Sequence, residues 1–135
     1  MIKTEKSPFV GKDAKTSGVG GMVTIEAPEF TFLDPKSPVP HMAAIQIQYV
    51  PRELIIIAEG FGEYIRSFRE MQMYPEEAIH KICQDIADIV EPFRVTVGSK
   101  WSPRAGVATN PQAQWIHPDL QKQSSPILTP NGKSN

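Results

Sequence analysis

Apolar residues recur along this chain at two spacings, and the change of spacing divides it into elements. From Pro75 to Val90 they stand at Ile79, Ile82, Cys83, Ile86, Ile89 and Val90, the three-and-four spacing of one helical face. Pro75 suits a first helical position, where its missing N–H removes a donor that would have no partner. Glu76 and Glu77 then stand at the positive end of the helix dipole, and Pro92 ends the run. A shorter amphipathic pattern at Tyr64, Ile65, Phe68 and Met71 predicts a preceding helix, with a break around Met73 and Tyr74. On either side the period falls to two. Ile45, Ile47 and Tyr49 alternate with Gln46 and Gln48, and Phe93 to Gly98 alternates again, so both stretches read as half-buried strands. Met22 to Ala27 reads as a short strand closed by Pro28, and Val107 to Thr109 as another after a turn. Leu54 to Ala58 opens with four consecutive large apolar residues and reads as a strand covered on both faces. Strand-like sequence flanking a helical block predicts an α+β domain, an antiparallel sheet with two helices on one face.

The ends of the chain lack this patterning. Residues 1–21 mix Lys, Ser, Thr and Gly and are expected to form a flexible arm, and residues 112–135 a loosely ordered tail that docks through Trp115 and Ile116. The domain is therefore expected over 22–111, about 90 residues, small enough that oligomerisation would add useful burial. Between Glu29 and His41, Pro35, Pro38 and Pro40 predict an irregular but stiff segment, a good place to hold chemistry.

Composition narrows the function classes. With 14 Lys and Arg against 15 Asp and Glu, no bulk charge favours nucleic acid or an anionic membrane, and neither is expected as a partner. A single cysteine excludes an intrachain disulfide framework. No signal peptide or membrane span is visible, so a cytoplasmic protein is expected. His41, His80 and His117 have no metal-ligand spacing, and no metal site is expected.

More specific residues follow in order: Phe30-Thr31, Leu33, Pro35, Pro40, Ile45, Ile47, Tyr49-Val50-Pro51, Tyr64, Ser67-Phe68-Arg69, Glu76, Asp85, Gly98, Pro103-Arg104, Gly106-Val107 and Pro111. This series resembles the single-module form of NADPH-dependent 7-cyano-7-deazaguanine reductase, a queuosine-pathway family of the tunnelling fold. The resemblance implies a tunnelling-fold domain whose subunits assemble into a barrel, as a pentamer or decamer, with ring sites at subunit boundaries. It also implies a purine-, 7-deazaguanine- or pterin-like ligand held by a carboxylate, which here is Glu76. A carboxylate takes two parallel hydrogen bonds from a ring N–H and an exocyclic amine.

The departures fall on the chemistry. Where the family has the nucleophilic Cys of a Cys-Pro pair, this chain has Asp34, and where it has a proton-donating Asp, this chain has His41. A carboxylate is a far weaker nucleophile towards a nitrile than a thiolate. The family's two cofactor-facing lysines correspond to Glu59 and Gly62; the first reverses a charge and the second deletes one, which opposes binding of the NADPH phosphates. No cofactor is therefore expected. Asp34 and His41 are expected instead to form a pair in which the carboxylate orients or charges the imidazole for proton transfer, hydration or hydrolysis on the ring.

Simpler readings compete. Glu76 suits a helix start for its charge alone, and Asp34 before a proline is common in turns. Cys83 reads as a packing residue and His80 as a helix-surface residue. Arg66, Arg69 and Arg104 could meet an anion. An authentic NADPH-dependent reductase and a non-catalytic structural or regulatory oligomer stand as the two alternative functions.

Overall fold

The computed structural model describes residues 10–12, 21–36, 39–103 and 105–120. The rest of the expected arm, the tail beyond 120 and Arg104 lie outside the described residues. In chain order the elements are β1 (Val10–Lys12), β2 (Val23–Leu33), β3 (Pro40–Val50), β4 (Leu54–Ile56), α1 (Ala58–Arg66), α2 (Pro75–Val90), β5 (Arg94–Trp101) and β6 (Gln112–Ile116). β2, β3, β5 and β6 form an antiparallel sheet in that order, and β1 pairs with β4 separately.

Alternation sorts the sheet into two faces. On β3, Ala43, Ile45, Ile47 and Tyr49 are buried while Met42, Ala44 and Gln46 are exposed. The buried row meets Phe30 and Phe32 of β2, Val95 and Val97 of β5, and the apolar stripes of both helices in one core. From α2 come Ile79, Ile82, Cys83, Ile86, Ile89 and Val90, every residue of the predicted helical face. From α1 come Phe61 and Ile65. The helices also share a polar tie, since the Tyr64 hydroxyl donates to Asp85, which in turn pairs with Lys81 at 3.2 Å. The α+β layering and the division into two helices are as the periodicity predicts, but α1 ends at Arg66, so Phe68 and Met71 of the predicted helical pattern fall in the connection before α2. At the C-terminal end of α2, Glu91 takes a left-handed conformation (φ 51°), held by Arg52, whose Nε donates to the Glu91 carbonyl at 2.9 Å and whose Nη2 meets its carboxylate at 3.1 Å.

Several predicted boundaries differ. Pro28 does not close β2; the register shifts between Ala27 and Phe30, and the strand runs on to Leu33. β2 is an edge of the sheet, where a proline at a bulge forfeits no ladder bond. β2 thus takes up Glu29 to Leu33 and β3 takes up Pro40 and His41 of the segment expected to be irregular. Leu54 to Ala58 is not one strand: β4 ends at Ile56, Ile57 is the cap position and α1 begins at Ala58. An unbroken apolar run does not distinguish a strand from a strand passing into a helix. Val107 makes only an isolated bridge, so the strand expected over 107–109 is absent. The sheet also extends past 111, because β6 pairs with β5 from Gln112 to Ile116, with Ala113 and Trp115 packed against the core.

Burial pushes the Cys83 thiol up from 9.0 to about 11. Burial also raises the phenols of Tyr49 and Tyr64, the latter with a further push from the bond to Asp85. A folded pKa raised above the unfolded one leaves stability intact below the unfolded pKa and erodes it above, because the unfolded chain loses its proton first. Stability in urea is therefore expected to start falling at about pH 9 through Cys83, by up to ~1.4 kcal/mol per pH unit, and to fall more steeply above 10 as the tyrosines join. Cys83→Ala should flatten the interval from 9 to 10. Equal slopes there for wild type and variant would refute the assignment.

Candidate functional site

The turn after β2 is built around Asp34. Its N–H donates to the Val39 carbonyl at 2.9 Å, and its Oδ1 accepts the Lys36 N–H at 2.8 Å, the local bond that makes aspartate favourable in turns. The other oxygen, Oδ2, lies 3.2 Å from Nε2 of His41. His41 is the second residue of β3 and continues the odd-numbered row that buries Ala43 and Ile45, so its ring points to the core face at the rim of the sheet. It stacks on Phe32, its register partner, with centroids 5.2 Å apart, and stands edge-on to Trp101 at 6.0 Å. The aromatic walls leave its side chain 11% exposed and that of Asp34 22% exposed. A carboxylate accepting from Nε2–H leaves Nδ1 as the basic nitrogen.

Glu76 arrives from the other layer. Pro75 is the first residue of α2 and Glu76 the second. The capping bond is made by Glu77, whose Oε1 accepts the Tyr74 N–H at 2.8 Å. Glu76 itself is exposed, and helix capping does not occupy it.

A cleft of about 250 Å³ unites the two layers. His41 lines it from β3, Tyr74, Pro75 and Glu76 from the start of α2, and Trp101, Ser102, Val107 and Thr109 from the end of β5 and the loop beyond. Thus His41 and Glu76 face one space, and Asp34 reaches it through His41. Tyr74 and Val107 are large apolar groups left exposed by the fold, and both border this cleft. Sequence reading had not singled out the roles of Trp101, Tyr74 or Val107. For Val107 the available signal was its place beside Gly106 in the matched series, and for Tyr74 its place two residues before Glu76.

A larger hollow of about 430 Å³ lies on the solvent-facing side of the sheet, floored by Ala44 and Gly98 and edged by Glu26, Gln46 and Lys100. It has no histidine, cysteine or tyrosine in its lining, so the smaller cleft is the better candidate for chemistry.

The remaining sequence candidates stand apart from the cleft. Cys83 is buried on α2, and Glu59 and Gly62 lie on α1. Arg66, Arg69 and His80 are exposed, and His117 accepts the Asp119 N–H through Nδ1 at 3.1 Å. Among the described residues no group of three or more His, Cys, Asp or Glu could hold a metal ion, and no helix is long and apolar enough to cross a membrane.

A family model described as QueF-like protein matches residues 40–119. Among curated proteins, an NADPH-dependent 7-cyano-7-deazaguanine reductase of Alkaliphilus metalliredigens is 36% identical over 66% of this chain and 54% of its own. That of Rhodopirellula baltica is 36% identical over 64% of this chain and 74% of its own, and that of Bacillus velezensis 31% identical over 71% and 58%. The chain thus spans little more than half the length of several curated relatives it matches. Among solved structures, an archaeosine synthase QueF-Like in the apo form superimposes with a TM-score of 0.64 at 22% identity, covering 69% of this chain and 91% of that one. That likeness bears out the tunnelling fold expected from the sequence.

Proposed function

The chain belongs to the QueF-like family, and from that premise we propose that it binds a purine-, 7-deazaguanine- or pterin-like ring in the cleft between His41 and Glu76 and does not reduce a nitrile with NADPH. The observation that carries this reading is the meeting of His41, bonded to Asp34, and Glu76 in one cleft. In it Glu76 accepts the N–H donors of the ring edge, while Tyr74 and Val107 offer apolar contact to a flat ring. Asp34 holds the His41 imidazole in the tautomer that leaves Nδ1 free to take a proton, from water or from the ring, and to return it to the product. Such chemistry is a proton transfer, a hydration or a hydrolysis, and it consumes no reductant.

The names of the curated relatives favour the second reading, an NADPH-dependent reductase. Three features weigh against it. Asp34 stands where the family has its thiol, and Glu59 and Gly62 stand where it has cationic contacts. The chain's one cysteine, Cys83, is buried in the core with its thiol pushed up to about 11, far from a nucleophilic thiolate.

Assembly belongs to the same reading. Of the strand expected over Leu54 to Ala58 with both faces covered only β4 forms, but β2 and β6 are the edges of the four-stranded sheet among the described residues. Pairing of such edges between copies would close the sheets into a barrel, the pentamer or decamer that the family resemblance implies. Mixing the protein with 7-cyano-7-deazaguanine and NADPH is expected to give no ring-dependent loss of NADPH absorbance, while the same ring, or a purine or pterin, raises the melting temperature. Sustained NADPH consumption with formation of the amine would overturn this function in favour of the reductase.

A further inference from the structure

The Asp34–His41 pair and Glu76 belong to different layers of the fold, and a main-chain link joins those layers beside the cleft. Leu33, the last residue of β2 and the neighbour of Asp34, donates its N–H to the Met71 carbonyl at 2.8 Å, and its own carbonyl accepts the Met73 N–H at 3.0 Å. These two bonds make a parallel bridge between Leu33 and Gln72. The Gln72 side chain adds a longer bond, 3.4 Å, to the Asp34 carbonyl. One residue beyond Met73 is Tyr74, whose N–H is capped by Glu77, and Glu76 stands in the same first turn of α2.

From this connectivity we propose that residues 71–73 are the positioning element of the site, and that their bridge to Leu33 sets the gap between the proton-moving pair and the ring-holding Glu76. The proposal rests on the reading of the cleft given above. The physical reason is the difference between the two ways α2 is held. Its contact with the sheet is made by Ile79, Ile82, Ile86 and similar apolar groups, and apolar burial is non-directional, so it tolerates small slides of a helix. Hydrogen bonds to a strand end are directional and tolerate little displacement. They involve Met71 and Met73, five and three residues before Glu76, and Leu33, next to Asp34. A displacement of ~1 Å between a bound ring and its acid–base partner costs ~10²-fold in rate, so the bridge acts on turnover more than on ring affinity. Residues 71–73 touch no substrate in this scheme and act through Asp34 and Glu76.

Met73→Pro deletes the donor that closes the bridge, and proline is compatible with an extended residue before it, as Gln72 is in the bridge. Met73 is also partly buried against the core, so Met73→Ala, which keeps the N–H and loses the packing, is the control. For a ring that is converted, Met73→Pro is expected to lower kcat by ~10²-fold with the ring dissociation constant within ~3-fold of wild type, and Met73→Ala to leave both within ~3-fold. Exchange of the Leu33 amide hydrogen should accelerate in Met73→Pro alone, and the His41 imidazole nitrogen signals should move in the same variant. Should Met73→Pro not fold, Gln72→Gly, which loosens the same segment, carries the same directions.

Equal kcat in Met73→Pro and Met73→Ala overturns the proposal while leaving ring binding by Glu76 standing. Absence of ring binding in the wild type overturns the reading of the cleft instead. The proposal is then decided by exchange and imidazole signals, and unchanged signals in Met73→Pro overturn it.

Discussion

Glu76→Gln is expected to weaken binding of a guanine-like ring by ~10²-fold or more, several kcal/mol at the upper end, while the folded protein keeps its melting temperature. The size follows from the mispairing. A carboxylate accepts from both ring donors, whereas an amide presents one acceptor and one N–H that opposes a donor, leaving polar groups of the buried ring edge without partners. The retained stability follows from the position. Glu76 is exposed, and the bond that caps α2 is made by Glu77 to the Tyr74 N–H. Glu77→Gln therefore provides the opposite profile, a loss of cap energy of about 1 kcal/mol or less with ring binding unchanged. Calorimetric titration of both variants beside wild type separates the ring role from the helix-dipole role. Similar affinities for Glu76→Gln and wild type would return Glu76 to a helix-start residue.

The second large effect belongs to the pair on the other side of the cleft. His41→Ala and Asp34→Asn are each expected to lower turnover of a converted ring by ~10²-fold or more, with ring affinity little changed. Asp34→Asn keeps the volume and the oxygen that accepts the Lys36 N–H, so the turn should survive, but the charge facing His41 Nε2 is lost. With that charge gone, nothing in the pair fixes the tautomer that leaves Nδ1 basic, and the imidazolium formed during proton transfer loses its stabilising neighbour. Steady-state rates set beside binding constants for the same variants check the split. Normal turnover in both would remove the pair from the mechanism.

How far the sequence told this in advance depends on which force decided each element. α2 was legible from Pro75 to Val90 because burial of one helical stripe and the proline start act in the same direction. β3 was legible because Ile45, Ile47 and Tyr49 alternate with glutamines across a sheet that buries one face only. Elements decided by pairing partners were harder. β6 carries Gln112 and Gln114 outward and only Ala113 and Trp115 inward, so its composition resembled a tail, although its alternation was that of a strand. Pro28 looked like a terminator because nothing local reveals that β2 is an edge strand with a bulge there. At the site, Asp34, His41 and Glu76 were all named from the family pattern; His41 and Glu76 line the cleft, and Asp34 stands behind His41. The chemistry that the pattern did not reveal lies in the supporting contacts. The stack of His41 on Phe32 depends on the β2–β3 register, and the wall formed by Trp101 and the Leu33–Gln72 bridge join residues far apart in the chain.

Tryptophan emission tests ring binding most directly. The chain has two tryptophans, and Trp101 lines the cleft whereas Trp115 lies on β6, so Trp115→Phe leaves a single reporter at the site. Titration of that protein with purines, 7-deazaguanines and pterins is expected to give saturable quenching by rings with a guanine-like edge, abolished when Glu76→Gln is added. Emission unaffected by every ring up to its solubility, or quenching that survives Glu76→Gln unchanged, would contradict a ring site between His41 and Glu76.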